Sequence, residues 1–229
     1  MRLLRSILYA AIFYPGTALF VLAGISASLF GTAPMRGVVH GWCDFNHWLA
    51  RHLLRIRVAV QGQVPEGGYL IAVKHQSMFE TTEMMRIART PVVVLKRELS
   101  DIPLFGWLTR RYGVIVVDRD AGAKALRAMM REARAAKEAG RPVMIYPEGT
   151  RVRPGETPPL GAGFAGLYRA LGLPVVPVAM DSGRLWGRGL VKQPGTIHFV
   201  VGDAIPAGLP RDEIERRVHS AINALESAA

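Results

Sequence analysis

The chain has 229 residues, half of them hydrophobic and 21% charged, which excludes a disordered or fibrous protein. Its 29 Lys and Arg against 18 Asp and Glu give a net charge of +11, so we expect an anionic partner: nucleic acid, a membrane surface or a phosphorylated substrate. Residues 86–153 carry eight of the surplus basic groups. The single cysteine, Cys43, excludes an intrachain disulfide and a cysteine-based zinc site.

The first predicted element is hydrophobic. Residues 7–30 are uncharged and long enough for a helix that crosses a bilayer. The simplest interpretation is a spanning helix or signal anchor; a re-entrant or interfacial helical hairpin broken at residues 14–16 and a cleaved signal peptide are the alternatives. Basic residues on both sides favour the hairpin, because the positive-inside rule places both ends in the cytoplasm. Residues 38–57 predict an amphipathic helix, at the membrane or packed on the domain.

From residue 57 onwards, short β-branched runs alternate with helical stretches. We predict strands over residues 57–61, 69–73, 92–95, 114–117, 143–146, 175–179 and 196–201. Helices are predicted between them, near 77–88, 102–111, 121–139, 162–171 and 211–227. This alternation indicates an α/β domain with a mixed, largely parallel sheet flanked by helices.

The predicted helix at 121–139 carries a basic stripe. Its residues recur at spacings of three and four, which places them on one helical face: Lys124, Arg127, Arg131 and Arg134. The stripe is either a solvated face or a docking surface for anionic lipid heads or an acidic protein.

His75 follows the second predicted strand, and Glu80 lies five residues later at the start of a helix. The chain reverses between them, so the two side chains can meet. A carboxylate that accepts a hydrogen bond from one imidazole nitrogen leaves the other to take a proton from a hydroxyl. The alternative is structural, because Ser77 and Glu80 also have the spacing of a capping box.

Three further strands end in charged residues. Because ligands bind at the carboxyl edge of open α/β sheets, four such ends indicate one polar site. The charged groups are His75/Glu80, Lys96/Arg97, Asp118/Arg119 and Glu148/Arg151. Gly149 would allow a tight turn beside Thr150 and Arg151, and arginine suits a phosphate.

These blocks resemble the 1-acylglycerol-3-phosphate acyltransferase family of glycerolipid acyltransferases. The resemblance spans most of residues 60–205 and rests on blocks in the order of the family: His75 to Glu80, KRELSDIPLFGW at 96–107, GVIVVDR at 113–119, YPEGTR at 146–151 and LPVVPVAM at 173–180. The family usually has Asp where this chain has Glu80, so a longer arm must fold back to reach His75.

The resemblance implies a membrane-anchoring segment over residues 1–57 and an acyltransferase catalytic domain over 58–229. His75 would be the base and Glu80 its partner, with Lys96 or a backbone amide at the oxyanion. Substrate would be bound by Lys96, Arg119, Glu148, Gly149, Thr150 and Arg151. It implies lysophosphatidic acid and an acyl thioester, acyl-coenzyme A or acyl carrier protein, as substrates, with no cofactor or metal. Anionic lipids are expected partners, at the cytoplasmic side of a bacterial inner membrane.

Other functions stay open at this point. The acceptor could be another lysolipid, such as a lyso-ornithine lipid. A hydrolase could use the same pair with water, although no Gly-x-Ser-x-Gly elbow occurs. A basic membrane-surface module is the alternative outside enzymes, and nucleic acid is disfavoured because few aromatic residues accompany the basic ones.

Overall fold

A seven-stranded sheet forms the centre of the protein in the computed structural model, which describes residues 1–117 and 122–226, without the side chains of 122–126. The strands are β1 Ile56–Gln61, β2 Leu70–Val73, β3 Val92–Lys96, β4 Ile115–Val117, β5 Val143–Ile145, β6 Val175–Met180 and β7 Gly195–Val201. Their order is β1-β7-β6-β2-β5-β3-β4, and all neighbours are parallel except β6 and β7. The predicted mixed, largely parallel sheet is confirmed, with every strand at its predicted place.

Helices cover both faces of this sheet. They are α1 Arg2–Ser28, α2 Thr32–Leu49, α3 Phe79–Ile87, α4 Arg97–Ser100, α5 Phe105–Tyr112, α6 Gly122–Glu138, α7 Ala162–Leu171 and α8 Arg211–Ile222. Side chains of β2 alternate between two cores, as a strand buried on both faces requires. Ile71 and Val73 pack with α1, α2 and α3. Leu70 and Ala72 pack with α6, α7 and α8.

The N-terminal segment forms a helical hairpin, but its turn does not lie at residues 14–16, where the hairpin alternative placed it. Helix α1 runs unbroken through Pro15, and the chain reverses at residues 29–31 before α2 returns along α1. An interior proline costs a helix about 3 kcal/mol. Burial offsets that cost, because Phe13 is only 2% exposed. Gly16 does not break the helix but allows α1 to approach α2 closely, because an added Cβ would lie 2.6 Å from the ring of Phe45 on α2.

Helix α1 belongs partly to the folded core and partly to an exposed apolar surface. The Tyr9 hydroxyl donates a 2.5 Å hydrogen bond to Asn46 on α2. Farther along, the hairpin tip exposes Leu29 and Phe30. A helix of 27 residues is about 40 Å long. Within the described residues, α1 is the one helix long and apolar enough to cross a membrane.

Candidate active site

His75 lies just beyond the carboxyl end of β2, in the middle of the sheet. Leu70–Val73 are buried, and the chain turns through residues 74–78, here called the catalytic turn, before α3 begins at Phe79. The carboxyl ends of β2, β3, β4, β5 and β6 share this edge because these strands are parallel. His75 keeps 14% of its side chain exposed there, whereas Glu80 is fully buried. The pair therefore has one accessible member.

Glu80 contacts the imidazole and also the backbone of the catalytic turn. Its Oε1 lies 2.9 Å from His75 Nδ1 and accepts hydrogen bonds from the amides of Gln76 and Ser77 at 2.8 and 2.6 Å. Its Oε2 accepts from the hydroxyls of Ser77 and Ser182 at 2.5 and 2.7 Å. The capping contact and the His–acid contact thus coexist, and the longer Glu arm reaches the imidazole.

These hydrogen bonds decide the protonation of the pair. Burial by itself would raise the pKa of Glu80, but the hydrogen bond and charge of His75 and the bonds from Ser77 outweigh it and hold that pKa below its ordinary value. An ionised carboxylate only accepts hydrogen bonds, so Nδ1 of His75 carries the proton. When the ring is neutral, its Nε2 is therefore left as a proton acceptor.

Ser182 is a residue that the sequence analysis missed. It follows β6, which neighbours β2, and it is fully buried against Glu80 and Ser77. Its position after a predicted strand was the available signal. Its contact spans 102 positions, however, and depends on the strand order, which the sequence pattern did not predict.

Tyr146 packs against the imidazole ring of His75. The two rings are stacked, with centroids 4.2 Å apart. The Tyr146 hydroxyl is buried without a hydrogen-bond partner among the described residues, and its burial raises the pKa of Tyr146 well above the ordinary value. The ring therefore fixes His75 by contact, and the hydroxyl adds a desolvation cost.

Replacing Tyr146 by Phe should keep the stacked ring and remove that cost. We expect Tyr146→Phe to raise the free energy of unfolding by about 1 kcal/mol, since an unpaired buried hydroxyl costs about that much or more. Turnover should stay within about twofold of wild type. Thermal unfolding and initial rates measure both. A loss of stability would show that the hydroxyl has a bonding partner in solution.

Glu148 contacts the backbone of the catalytic turn rather than an arginine. Its Oε2 accepts the His75 amide at 2.9 Å, and its Oε1 lies 2.7 Å from Nζ of Lys74. Both side chains have no exposed surface. Lys74 also donates to Asn223 Oδ1 at 2.6 Å and to the Glu156 carbonyl at 2.7 Å. The Glu148 carboxylate therefore contacts the backbone and the buried lysine of the catalytic turn.

The turn after β5 brings Arg151 next to the catalytic turn. Gly149 has a φ of 72°, the left-handed conformation that favours glycine. Beyond it, the Val152 amide donates to the His75 carbonyl at 2.8 Å, which ties the two segments together. Thr150 and Arg151 are exposed, and Arg151 lines a pocket with Gln76 and Ser77.

Lys96 belongs to the other side of the sheet edge. Lys96 ends β3, which β5 separates from β2. Its Nζ lies 2.5 Å from Glu98, and nearly half of its side chain is exposed. Arg119 lies outside the described residues. The structure thus brings together His75, Glu80 and Glu148, with Arg151 beside them and Lys96 farther along the edge.

Among the residues that the structure describes, neither a thiol nor a metal cluster accompanies this site. Cys43 is buried in α2, and burial raises the pKa of its thiol to about 12, so it is no nucleophile. In the part of the chain that the structure describes, no three His, Cys, Asp or Glu residues gather as a metal site requires.

Comparison with known proteins identifies the family of the chain. The Acyltransferase family profile matches residues 55–181. A Pseudomonas aeruginosa 1-acyl-sn-glycerol-3-phosphate acyltransferase is 37% identical over 204 residues, covering 88% of this chain and 78% of that protein. The mouse 1-acyl-sn-glycerol-3-phosphate acyltransferase alpha is 31% identical over 140 residues, covering 58% of this chain and 48% of that protein.

A solved structure shares the fold. The crystal structure of the 1-acyl-sn-glycerophosphate (LPA) acyltransferase from Thermotoga maritima superposes with a TM-score of 0.80 at 18% identity, covering 100% of this chain and 97% of that one. The family profile covers more than half of the chain, and the Pseudomonas relative covers most of it. The chain therefore belongs to the Acyltransferase family, together with the 1-acyl-sn-glycerol-3-phosphate acyltransferases.

Proposed function

We propose that this acyltransferase moves a fatty acyl group from an acyl thioester to the sn-2 hydroxyl of 1-acylglycerol 3-phosphate, which yields phosphatidic acid. The 2.9 Å contact between His75 Nδ1 and the ionised Glu80 carries the proposal. It leaves Nε2 to act as a general base on a hydroxyl. The names of the Pseudomonas and mouse relatives support the glycerol phosphate acceptor.

The reaction proceeds without an acyl-enzyme. Nε2 of His75 takes the proton of the sn-2 hydroxyl while the hydroxyl oxygen attacks the thioester carbonyl carbon. Glu80 stabilises the imidazolium that forms. The tetrahedral oxyanion then re-forms its carbonyl and expels the thiolate, which takes the proton from the imidazolium. The products are an ester and a free thiol.

The family resemblance suggests binding roles for the basic side chains. Arg119 and Arg151 hold the acceptor phosphate, since guanidinium groups bind phosphate bidentately. Lys96 or a backbone amide stabilises the oxyanion. Gly149 and Thr150 shape the turn that presents Arg151, and Glu148 acts by positioning.

An assay with purified full-length protein tests the function. Lysophosphatidic acid is offered with acyl-coenzyme A and, separately, with acyl carrier protein, and phosphatidic acid is measured by mass spectrometry. We expect phosphatidic acid with at least one donor. Faster acylation of a lyso-ornithine lipid in the same panel would identify that lipid, rather than lysophosphatidic acid, as the acceptor. Thioester loss without any acceptor would show that the protein is a hydrolase rather than a transferase.

The α1–α2 hairpin supports a position at the cytoplasmic face of a bacterial inner membrane. Its tip and outer surface expose apolar residues such as Leu22, Leu29 and Phe30, while Arg2 and Arg5 lie at the start of α1. A hairpin that exposes apolar residues and also carries basic ones suits an anionic bilayer. Flotation with vesicles containing phosphatidylglycerol tests this: protein left at the bottom of the gradient would contradict it.

The exposed face of α6 supports a docking surface for the acyl donor. Arg127, Arg131 and Arg134 lie on one side of this helix, and all three are exposed. Acyl carrier protein is acidic, so it is attracted to such a stripe, as anionic lipid heads would be. Acyl-coenzyme A needs no surface of this extent, so a change in the stripe should affect the two donors differently.

Reversing one charge in the stripe should affect the donors differently. We expect Arg131→Glu to raise the KM for acyl carrier protein about tenfold, because a repulsive charge replaces an attractive one. The KM for acyl-coenzyme A should stay within about twofold. Arg216→Glu on the exposed side of α8 is the matched control. Equal effects of both variants on both donors would contradict a dock on α6.

A further inference from the structure

We propose that Arg188 and Lys192, with Arg151, form a pocket that binds the phosphate group of a substrate; the proposal builds on the function above. A cavity of about 230 Å³ lies between α1 and the segment of residues 186–192. Tyr9, Ala10 and Tyr14 of α1 form one wall, and Gln76 and Ser77 of the catalytic turn form another. This cavity is called the anion pocket below.

The charge of the anion pocket points to an anionic ligand. Arg151, Arg188 and Lys192 line it, and none of the described residues that line it is acidic. Burial, and secondarily the charge of Arg151, lower the pKa of Lys192. Three cations that crowd one cavity repel one another. A bound anion would relieve that repulsion, so the cluster is better suited to a ligand than to stability.

Hydrogen bonds hold the cationic side chains in place. An Nη2 of Arg188 donates to the Arg151 carbonyl at 2.9 Å, which joins the segment to the turn after β5. Nζ of Lys192 donates to the carbonyls of Gly187 and Gly189 at 2.8 and 2.7 Å and lies 5.3 Å from the centre of the Trp186 ring. An ammonium has three donors, so one remains for a ligand.

The backbone of this segment is also joined to α1. The Lys192 amide donates a 2.9 Å hydrogen bond to the Ser6 hydroxyl. Tyr9 packs edge-on against Trp186, with centroids 5.3 Å apart. Arg188 and Lys192 therefore stand on a segment fixed to both α1 and the turn after β5. Such pre-organisation favours binding over a surface coat of mobile charges.

A phosphate fits these features in size, charge and place. Guanidinium groups bind phosphate oxygens in pairs, and a cavity of this volume holds one such group. The anion pocket adjoins His75 through Gln76 and Ser77, so a phosphate there would be attached to a reacting substrate. Both substrates carry phosphate, the lysolipid on its glycerol and the thioester donor on its carrier. The α1 wall favours the lysolipid, whose acyl chain lies in the bilayer.

The experiment separates binding from turnover. Full-length wild type, Arg188→Gln and Lys192→Met are titrated with sn-glycerol 3-phosphate by ³¹P NMR and with coenzyme A by calorimetry. Arg216→Gln on α8 is the matched control, since it removes the same charge from an exposed helix elsewhere. The KM values for lysophosphatidic acid and acyl-coenzyme A are measured in parallel.

If the acceptor phosphate occupies the anion pocket, Arg188→Gln should weaken glycerol 3-phosphate binding about tenfold and raise the KM for lysophosphatidic acid similarly, with kcat within about twofold. The KM for acyl-coenzyme A should not change. Arg188→Lys should restore part of the loss. A change confined to coenzyme A binding and the donor KM would assign the anion pocket to the donor phosphate and still support it.

Two results would overturn the anion pocket. One is unchanged affinity for both probes in Arg188→Gln and Lys192→Met. The other is an equal loss in Arg216→Gln, because the effect would then reflect net charge. These outcomes differ from failure of the proposed function. The wild type could bind glycerol 3-phosphate through Arg188 and still form no phosphatidic acid. That result would support the anion pocket and contradict the proposed function. Phosphatidic acid formation by the wild type, with unchanged KM values and affinities in Arg188→Gln and Lys192→Met, would support the function and rule out the anion pocket.

Discussion

Replacing His75 by Ala should lower the rate of phosphatidic acid formation by about 10²- to 10⁴-fold, the range that general-base catalysis supplies. The other parts of the site stay in place in this variant. Glu80 keeps its bonds to the amides of Gln76 and Ser77 and to the Ser182 hydroxyl. Substrate binding should therefore persist, and the loss should fall on kcat rather than on KM.

The fold should tolerate the change. His75 contacts Glu80 and stacks on Tyr146, but its ring belongs to neither hydrophobic core. Thermal unfolding is the control, and we expect a shift of only a few degrees. Glu80→Gln tests the pairing separately, because an amide cannot accept from His75, Gln76 and Ser77 as an ionised carboxylate does. Turnover near the wild-type rate in His75→Ala would rule out the mechanism.

Sequence patterns predicted the sheet well because its strands are locally distinctive. β2 reads Leu-Ile-Ala-Val and is buried on both faces, and β6 is likewise buried throughout. Continuous apolar runs between glycine, proline and charged residues indicate such strands without knowledge of their neighbours. Polar residues at the ends of these strands then indicated one edge. Parallel pairing brings His75 and Arg151 together there, as the structure describes.

Prediction failed where a residue's meaning depends on what packs against it. Pro15 and Gly16 predict a break in most contexts. Here the bulk of Phe45 occupies the space that Gly16 leaves, so the pair marks a close helix contact instead. Ser182 was missed because only the adjacency of β6 and β2 brings it to Glu80. No local pattern carries that information.

The contacts of Glu148 were also not predicted, because they depend on the burial of Lys74. A lysine is almost never fully buried unless it is paired, so no local pattern predicted one in the core. The family resemblance implied that Glu148 binds substrate, and a contact with a buried lysine was not considered. Lys74 is in fact without exposed surface, and its ammonium contacts Glu148, Asn223 and the carbonyl of Glu156.

Replacing Glu148 by Ala should accordingly destabilise the whole protein. Without Glu148, the buried Lys74 ammonium keeps only the more distant carboxylate of Glu226, at 3.9 Å. Breaking a buried ion pair in this way costs about 3–5 kcal/mol. In a chain of this length, that loss lowers Tm by about 6 to 20 °C. The His75 amide also loses its acceptor, so activity should fall with stability. Thermal unfolding in detergent measures the shift, with Glu132→Ala on the exposed face of α6 as the matched control.

A double variant distinguishes this role from substrate binding. Lys74→Met combined with Glu148→Leu removes both charges, so it should unfold at a higher temperature than Glu148→Ala alone. Its activity should still be impaired, because the His75 amide has no acceptor and the catalytic turn is less well held. A residue that only binds substrate would behave differently: Glu148→Ala would raise KM and leave Tm within a degree or two of wild type. That pattern would return Glu148 to the substrate-binding residues.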